Sequence, residues 1–308
     1  MKKEIFFIKT LFVNLFVVSL FYFLSMEYLV RKYVLIYDHD FQRSILFKKS
    51  KVRNTIWGDS GTMTAINKLA GFINLSAGSQ NFQEIELKIK IYYSNKEKEK
   101  GKIILQLPLN AFAGYRDRPL SDALKDLYFS NSKINFYMSY NYFRERSYEY
   151  IKNFITNKFQ IKLISDDRFN SDGSVTYFKK YLKANENIPY SIPKNPNIYI
   201  PKLSFKNDPN KLALERIIKF LNESKIDSCF VTTPWHQDYF QYVANINKFK
   251  NIREYYNKIS NKNNILYFDY AQLKYHDFFF SNESHLSEDG SKAFTKLVSE
   301  SCFPKKIK

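Results

Sequence analysis

Five short runs along the chain are close to continuously apolar: Asn54–Trp57, Gly71–Leu75, Lys102–Leu107, Ser228–Thr233 and Ile265–Asp269. Strands buried on both faces have this pattern, and parallel sheets held between helix layers bury both faces. Other stretches carry the helical period. Pro209–Asn222 places Leu212, Leu214, Ile217, Ile218 and Leu221 on one side, with Asp208 or Asn210 available as a cap. Asp289–Ser301 places Ala293, Phe294, Leu297 and Val298 on one face. Gln80–Tyr93 reads two ways, because Ile85, Leu87, Ile89 and Ile91 alternate as in a strand while Asn81 and Glu84 form a capping box. Helix is the reading adopted, since consecutive parallel strands need a crossover. The fold class is therefore α/β with a five-stranded parallel sheet.

About 120 residues separate the third and fourth runs, far more than one crossover needs. The predicted insertion covers about 111–208 and holds the tyrosine-rich NFYMSYNYF, a helix around Ser147–Phe159 and the proline-bearing IPYSIPKNPNIYIPKLSF. A segment of this kind forms a lid or a partner surface.

The first residues have a different character. Ile5–Leu24 is apolar apart from Lys9, Thr10, Asn14 and Ser19. As a helix, Ile5–Val30 would extend about 39 Å, enough for a bilayer core of about 30 Å. A cleaved signal peptide needs small residues at its cleavage site, and the flank reads FLSMEYLVRKY. A transmembrane signal anchor within residues 1–32 is expected, followed by a juxtamembrane connector at 33–52 and an α/β domain at 53–308. Lys2 and Lys3 favour a cytoplasmic N-terminus, although Arg31 and Lys32 oppose them. The domain is thus expected outside the cell membrane.

Composition changes the picture only in part. The chain has 308 residues, 44% hydrophobic and 25% charged, which excludes collagen-like, coiled-coil and disordered classes. A net charge of +18 points to a polyanionic partner. Lysine greatly outnumbers arginine, however, and a biased coding composition produces the same drift. Extracytoplasmic placement also argues against nucleic acid. Two cysteines, Cys229 and Cys302, allow one bridge, and the four histidines are too scattered for a zinc pair. No metal and no cofactor are expected.

The candidate chemistry lies near the two ends of the domain. In NTIWGDSGTMTAI a strand pattern runs into Gly58-Asp59-Ser60 and then a helix-compatible segment. A serine on such a turn exposes Oγ at the carboxyl edge of the sheet, and its own N–H can stabilise an oxyanion. The same tripeptide also makes an ordinary turn. Far downstream, FFFSNESHLSEDGSKAF places His285 before the last helix. A serine hydroxyl becomes a nucleophile when an imidazole takes its proton, so the two segments complement each other. His285 can equally be a surface-loop histidine.

Together the two segments resemble the SGNH, or GDSL-type, hydrolase superfamily over roughly residues 53–303, the insertion excluded. The resemblance implies a doubly wound, flavodoxin-like domain with Ser60 as nucleophile and His285 as general base. It implies oxyanion donors at the Ser60 N–H, at Gly78 in NLSAGSQNF, and at Asn110 in QLPLNAF, although the family's G-x-N-D element is missing and Asn110 also fits a turn. The family's aspartate three residues before the histidine is here Asn282. An asparagine carbonyl can hold the ring but adds no negative charge. A Ser-His dyad oriented by Asn282, replacement of the acid by Glu283 or Asp277, and a degenerate enzyme all remain open. Trp235 and His236 follow the fourth run, where they could line a pocket, or where the tryptophan packs and the histidine is solvated. His276-Asp277 is a weaker acid-base pairing, because sequence neighbours in an extended strand face apart.

SGNH-like domains on a membrane anchor resemble proteins that act with membrane O-acyltransferases on envelope polymers. The implied function is an esterase or O-acyltransferase, acetyl being the expected group, acting on a cell-surface carbohydrate polymer. A binding or scaffold protein for an acidic polysaccharide or an envelope-assembly partner is the alternative, and a lipase or thioesterase near the bilayer is a third.

Overall fold

In the computed structural model, residues 2–94, 101–117, 122–129, 136–156, 167–178, 207–244 and 248–304 are described. The chain runs through α1 (Lys2–Leu29), a π-helical turn (Val30–Val34), α2 (His39–Lys49), β1 (Asn54–Trp57), α3 (Ser60–Ala65), β2 (Phe72–Asn74), α4 (Phe82–Tyr93) and β3 (Lys102–Gln106). Then follow α5 (Asp122–Phe129), α6 (Asn141–Thr156), β4 (Asp167–Phe169), β5 (Val175–Tyr177), α7 (Pro209–Glu223) and β6 (Asp227–Thr232). The series ends with α8 (Gln237–Ala244), α9 (Lys248–Lys262), β7 (Leu266–Asp269) and α10 (Glu288–Cys302). The proline-bearing stretch at 188–205 and the end of the helix predicted at 147–159 lie outside the described residues.

The five apolar runs pair into one parallel sheet in the order β2-β1-β3-β6-β7. Thr55 lies opposite Ile73 on one side and Ile103 on the other, and Phe230 lies between Leu105 and Tyr267. Ile56, Ile104, Leu105, Phe230 and Val231 are fully buried, as strands covered on both faces must be. β7 is an edge strand, and Leu266 is half exposed. Because all five strands run the same way, the loops after them share one edge of the sheet.

Caps and periodicity explain the flanking helices. The Asn81 side chain accepts the Glu84 N–H at the start of α4. Within α4, Ile85 and Ile89, four apart, are buried, whereas Leu87 and Ile91 are exposed, so the strand-like alternation does not decide the element. Asp208 caps α7 through the N–H groups of Asn210 and Lys211. Leu212, expected on the buried side of α7, is exposed at 41%, and Ala213 takes its place in the core. On the other side of the sheet, Phe294 and Val298 of α10 pack with Ile56, Ile104 and Val231. Cys229 of β6 is disulfide-bonded to Cys302 at the end of α10.

The chain divides into two compact units. One comprises residues 46–120 and 166–308 and holds the sheet. It includes a hairpin of β4 and β5 that the sequence pattern missed. Gly173, at φ +88°, closes the hairpin turn, and a Cβ there would lie 2.2 Å from the Asn74 carbonyl oxygen. Asp172 accepts the Asn74 N–H through its backbone and the Lys68 N–H through its carboxylate, both at 2.6 Å.

The other unit comprises residues 1–45 and 121–165, so this part of the expected insertion groups with the N-terminal segment. Ile5–Val34 is long and apolar enough to cross a membrane, with a mean hydropathy of 2.0 in its most apolar window and none of that window buried. In the last part of this stretch, buried Glu27 accepts the Met138 N–H at 2.8 Å and pairs with Arg31 at 2.8 Å. The Arg31 guanidinium lies over the Tyr137 ring, 5.0 Å from its centre. The expected connector at 33–52 is largely helical, with α2 at its centre.

Candidate active site

β1 ends at Trp57 and α3 begins at Ser60, leaving Gly58 and Asp59 to make the turn. Gly58 has no left-handed dihedral. Its glycine is needed for close approach, since a Cβ would stand 2.5 Å from Gln106 Oε1 and 2.7 Å from Thr62 Oγ1. The Asp59 N–H donates to Gln106 Oε1 at 2.8 Å, and Gln106 Nε2 donates to Thr233 Oγ1 at 3.0 Å. The turn is thereby joined to β3 and to the loop after β6. Asp59 caps α3, its Oδ1 accepting the Gly61 N–H at 2.8 Å. Ser60 is the first helical residue, is partly buried, and its N–H has no acceptor within the helix.

The loop after β2 reaches the same turn. The Gly58 carbonyl accepts the Ala77 N–H at 3.2 Å and, at 2.9 Å, the Gln80 amide, whose oxygen meets Lys88 Nζ at 2.6 Å. Gly78 lies in this loop, is exposed, and has nothing within 4 Å of where a Cβ would stand. In the loop after β3, Asn110 Nδ2 donates to the Tyr115 hydroxyl at 2.7 Å and Oδ1 accepts from Arg116 Nη2 at 3.2 Å.

The fourth loop, before α10, folds back on itself through a bridge between Phe280 and Leu286. Asn282 Oδ1 accepts the backbone N–H groups of Ser284 and His285, each at 3.0 Å, which fixes it as the oxygen of the amide. The same Oδ1 lies 2.9 Å from His285 Nδ1. A carbonyl oxygen only accepts, so Nδ1 carries the proton and Nε2 is the unprotonated, basic nitrogen. Nε2 is buried and makes no hydrogen bond among the described residues, including none to Ser60 Oγ. Catalytic hydrogen bonds are often long in the free enzyme and tighten with substrate. The Tyr177 ring stands edge-on to the imidazole, 5.6 Å between centres.

α3 packs against α10. The Asn67 N–H and side chain, just beyond α3, bond to Thr295 and Ser291, at 2.9 and 2.8 Å. Burial pushes the His285 pKa below the ordinary imidazole value, and the Asp59 carboxylate opposes it through space. Asp59 precedes Ser60, and α3, which Ser60 begins, packs against α10, which follows the His285 loop.

Trp235 and His236, after β6, are both buried. Trp235 is buried against Tyr239 and Phe249. His236 is buried too, rather than solvated: Nε2 lies 3.0 Å from Asp277 Oδ1 and its N–H donates to the Glu283 carbonyl at 2.9 Å. Asp277 thus pairs with His236, and neither Asp277 nor Glu283 bonds the His285 ring. Among the described residues no three His, Cys, Asp or Glu side chains gather as a metal site needs.

Sequence reasoning missed Gln106, Tyr177 and, above all, Arg116, whose Nη2 pairs with Asp59 Oδ2 at 2.5 Å with both side chains buried. The usable signal was compositional: where lysine is the default cation, an arginine in the loop after a strand marks a position that needs a planar fork. No protein-family model matches this sequence, and no curated protein matches it either.

Proposed function

We propose that the protein is a membrane-anchored serine esterase or O-acyltransferase whose α/β domain lies outside the cell membrane and acts on a surface polysaccharide. The observation that carries this reading is the His285 ring, with Nδ1 held by Asn282 and Nε2 left basic and without a hydrogen bond among the described residues. The parallel sheet in the order β2-β1-β3-β6-β7 supports a flavodoxin-like reading, and ligands bind at the carboxyl edge of such sheets. The apolar N-terminal helix and the disulfide favour the extracytoplasmic side.

In this reading Ser60 Oγ attacks the ester carbonyl carbon while His285 Nε2 takes its proton. The tetrahedral oxyanion accepts hydrogen bonds from the Ser60 and Gly78 N–H groups and from Asn110. Its collapse expels the alcohol, which leaves with the proton from Nε2, and an acyl-Ser60 remains. Water or a sugar hydroxyl then attacks that ester, giving up its proton to Nε2, and the second collapse returns the proton to Ser60. A membrane O-acyltransferase is the partner that would supply or share the acyl group. The test is a fluorophosphonate probe on the full-length protein. Labelling of wild type and none of Ser60→Ala is expected, and an unlabelled, folded wild type overturns the reading.

One feature favours a second reading, a binding protein for an acidic polysaccharide. A groove of about 700 Å³ between α7 and α9 is lined by Lys211, Lys219, Lys258 and Lys262 with Glu215 and Glu223, beside Tyr255, so that lysines outnumber carboxylates four to two. Retention on an anionic polysaccharide without any labelling at Ser60 would select this reading.

A further inference from the structure

Three loops carry the proposed nucleophile and oxyanion donors. One side chain touches each. The Arg116 guanidinium donates from Nη2 to Asp59 Oδ2 at 2.5 Å and to Asn110 Oδ1 at 3.2 Å, and from Nη1 to the Gln80 carbonyl at 2.6 Å. Asp59 immediately precedes Ser60, Asn110 is itself a candidate donor, and Gln80 lies two residues beyond Gly78. The arginine is 3% exposed and its ring neighbour is Tyr115, 4.9 Å from the guanidinium carbon. Its backbone is fixed as well, since its carbonyl accepts from Asn81 Nδ2 at 2.9 Å and from Asn210 Nδ2 at 3.3 Å.

We infer that Arg116 is the positioning residue of the site: it holds the Ser60 turn, the Gly78 loop and Asn110 at fixed separations around the place where an oxyanion forms. This inference rests on the esterase reading above. Lysine cannot replace it, because one ammonium cannot serve three acceptors in one plane. The Asn110 contact has a specific effect. Binding of Oδ1 by the guanidinium fixes the amide plane, so Nδ2 is the edge offered to Tyr115 or to a ligand in its place. Arg116 does not touch the reacting atoms and acts through the residues that do.

The experiment compares Arg116→Lys, Asn110→Ala and the double variant in hydrolysis of a small acetyl ester, with fluorophosphonate labelling run in parallel. Asn110→Ala is expected to lower kcat about 100-fold, the usual cost of one oxyanion donor. Arg116→Lys is expected to lower kcat at least about tenfold with KM changed less than about threefold, and the double variant to fall below Asn110→Ala by less than the full Arg116→Lys factor, since the Ser60 turn and the Gly78 loop still lose their anchor. Independent, multiplying losses, or wild-type kcat in Arg116→Lys, overturn the inference while Ser60-dependent labelling leaves the esterase reading standing. Loss of Ser60-dependent labelling in the wild type overturns both. If Arg116→Lys does not fold, Asp59→Asn with Arg116→Gln removes the buried charges together, and the same kcat pattern is required of it.

Discussion

Asn282 and His285 share one loop, and the amide oxygen of the first lies 2.9 Å from Nδ1 of the second. The contact selects the tautomer but offers the imidazolium only a dipole. Asn282→Asp should therefore raise kcat/KM about tenfold or more by placing a full negative charge beside the protonated ring, and Asn282→Leu should lower it. Steady-state ester hydrolysis by the two variants checks both directions. A rate unmoved by either change would mean that the ring is not the base.

The buried imidazole sets the pH dependence. Because burial holds its pKa below the ordinary value of about 6.5, the basic form persists under mildly acidic conditions. The acid limb of kcat/KM should fall below pH 6.5, and Asn282→Asp should move it upward. The same shift bears on stability. Between the folded and unfolded pKa values the unfolded chain binds more protons, so this group's contribution is intact above about pH 6.5 and is lost as pH falls through the folded value. His285→Gln should flatten both profiles in that range.

Gly58 is packed against the Gln106 side chain, where an added methyl would stand 2.5 Å from Oε1. Gly58→Ala should destabilise the protein by about 1–3 kcal/mol through overpacking. It should also displace Asp59, whose N–H uses that same oxygen, and with it Ser60. Thermal unfolding and probe labelling measured on one sample test the two effects together.

The Cys229–Cys302 bridge closes a loop of sequence separation 73. Replacing both cysteines by serine should cost about 2–4 kcal/mol. In a domain of this size that lowers Tm by roughly 4–16 °C, and a reducing agent should affect the wild type alone.

Much of the sheet was legible because three of its strands, β1, β3 and β6, are inner strands, whose double burial leaves an unbroken apolar run. The helices α4 and α7 announced themselves through Asn81 and Asp208, whose side chains cap them. The hairpin at 167–177 was not legible from hydropathy: its strands have three residues each and one reads Asp-Arg-Phe. Its signal lay in the turn Asn170-Ser171-Asp172-Gly173, a chemistry that favours reversal. The pairing of Asp59 with Arg116, 57 residues apart, has no local trace at all. Asn282 and His285, three apart in one loop, could be read together, whereas the buried states of Trp235 and His236 depend on α8, α9 and residues 277–283, distant neighbours that periodicity cannot supply.

The bridge to β6 pins the far end of α10, and the contacts of Thr295 and Ser291 with Asn67 pin its middle. In the proposed enzyme that helix is therefore held at two points along its length when a substrate arrives. Any movement that carries the imidazole toward the serine is confined to rotation of one ring and flexing of the seven residues from Ser281 to Ser287, a hinge short enough to be stiffened or loosened one side chain at a time.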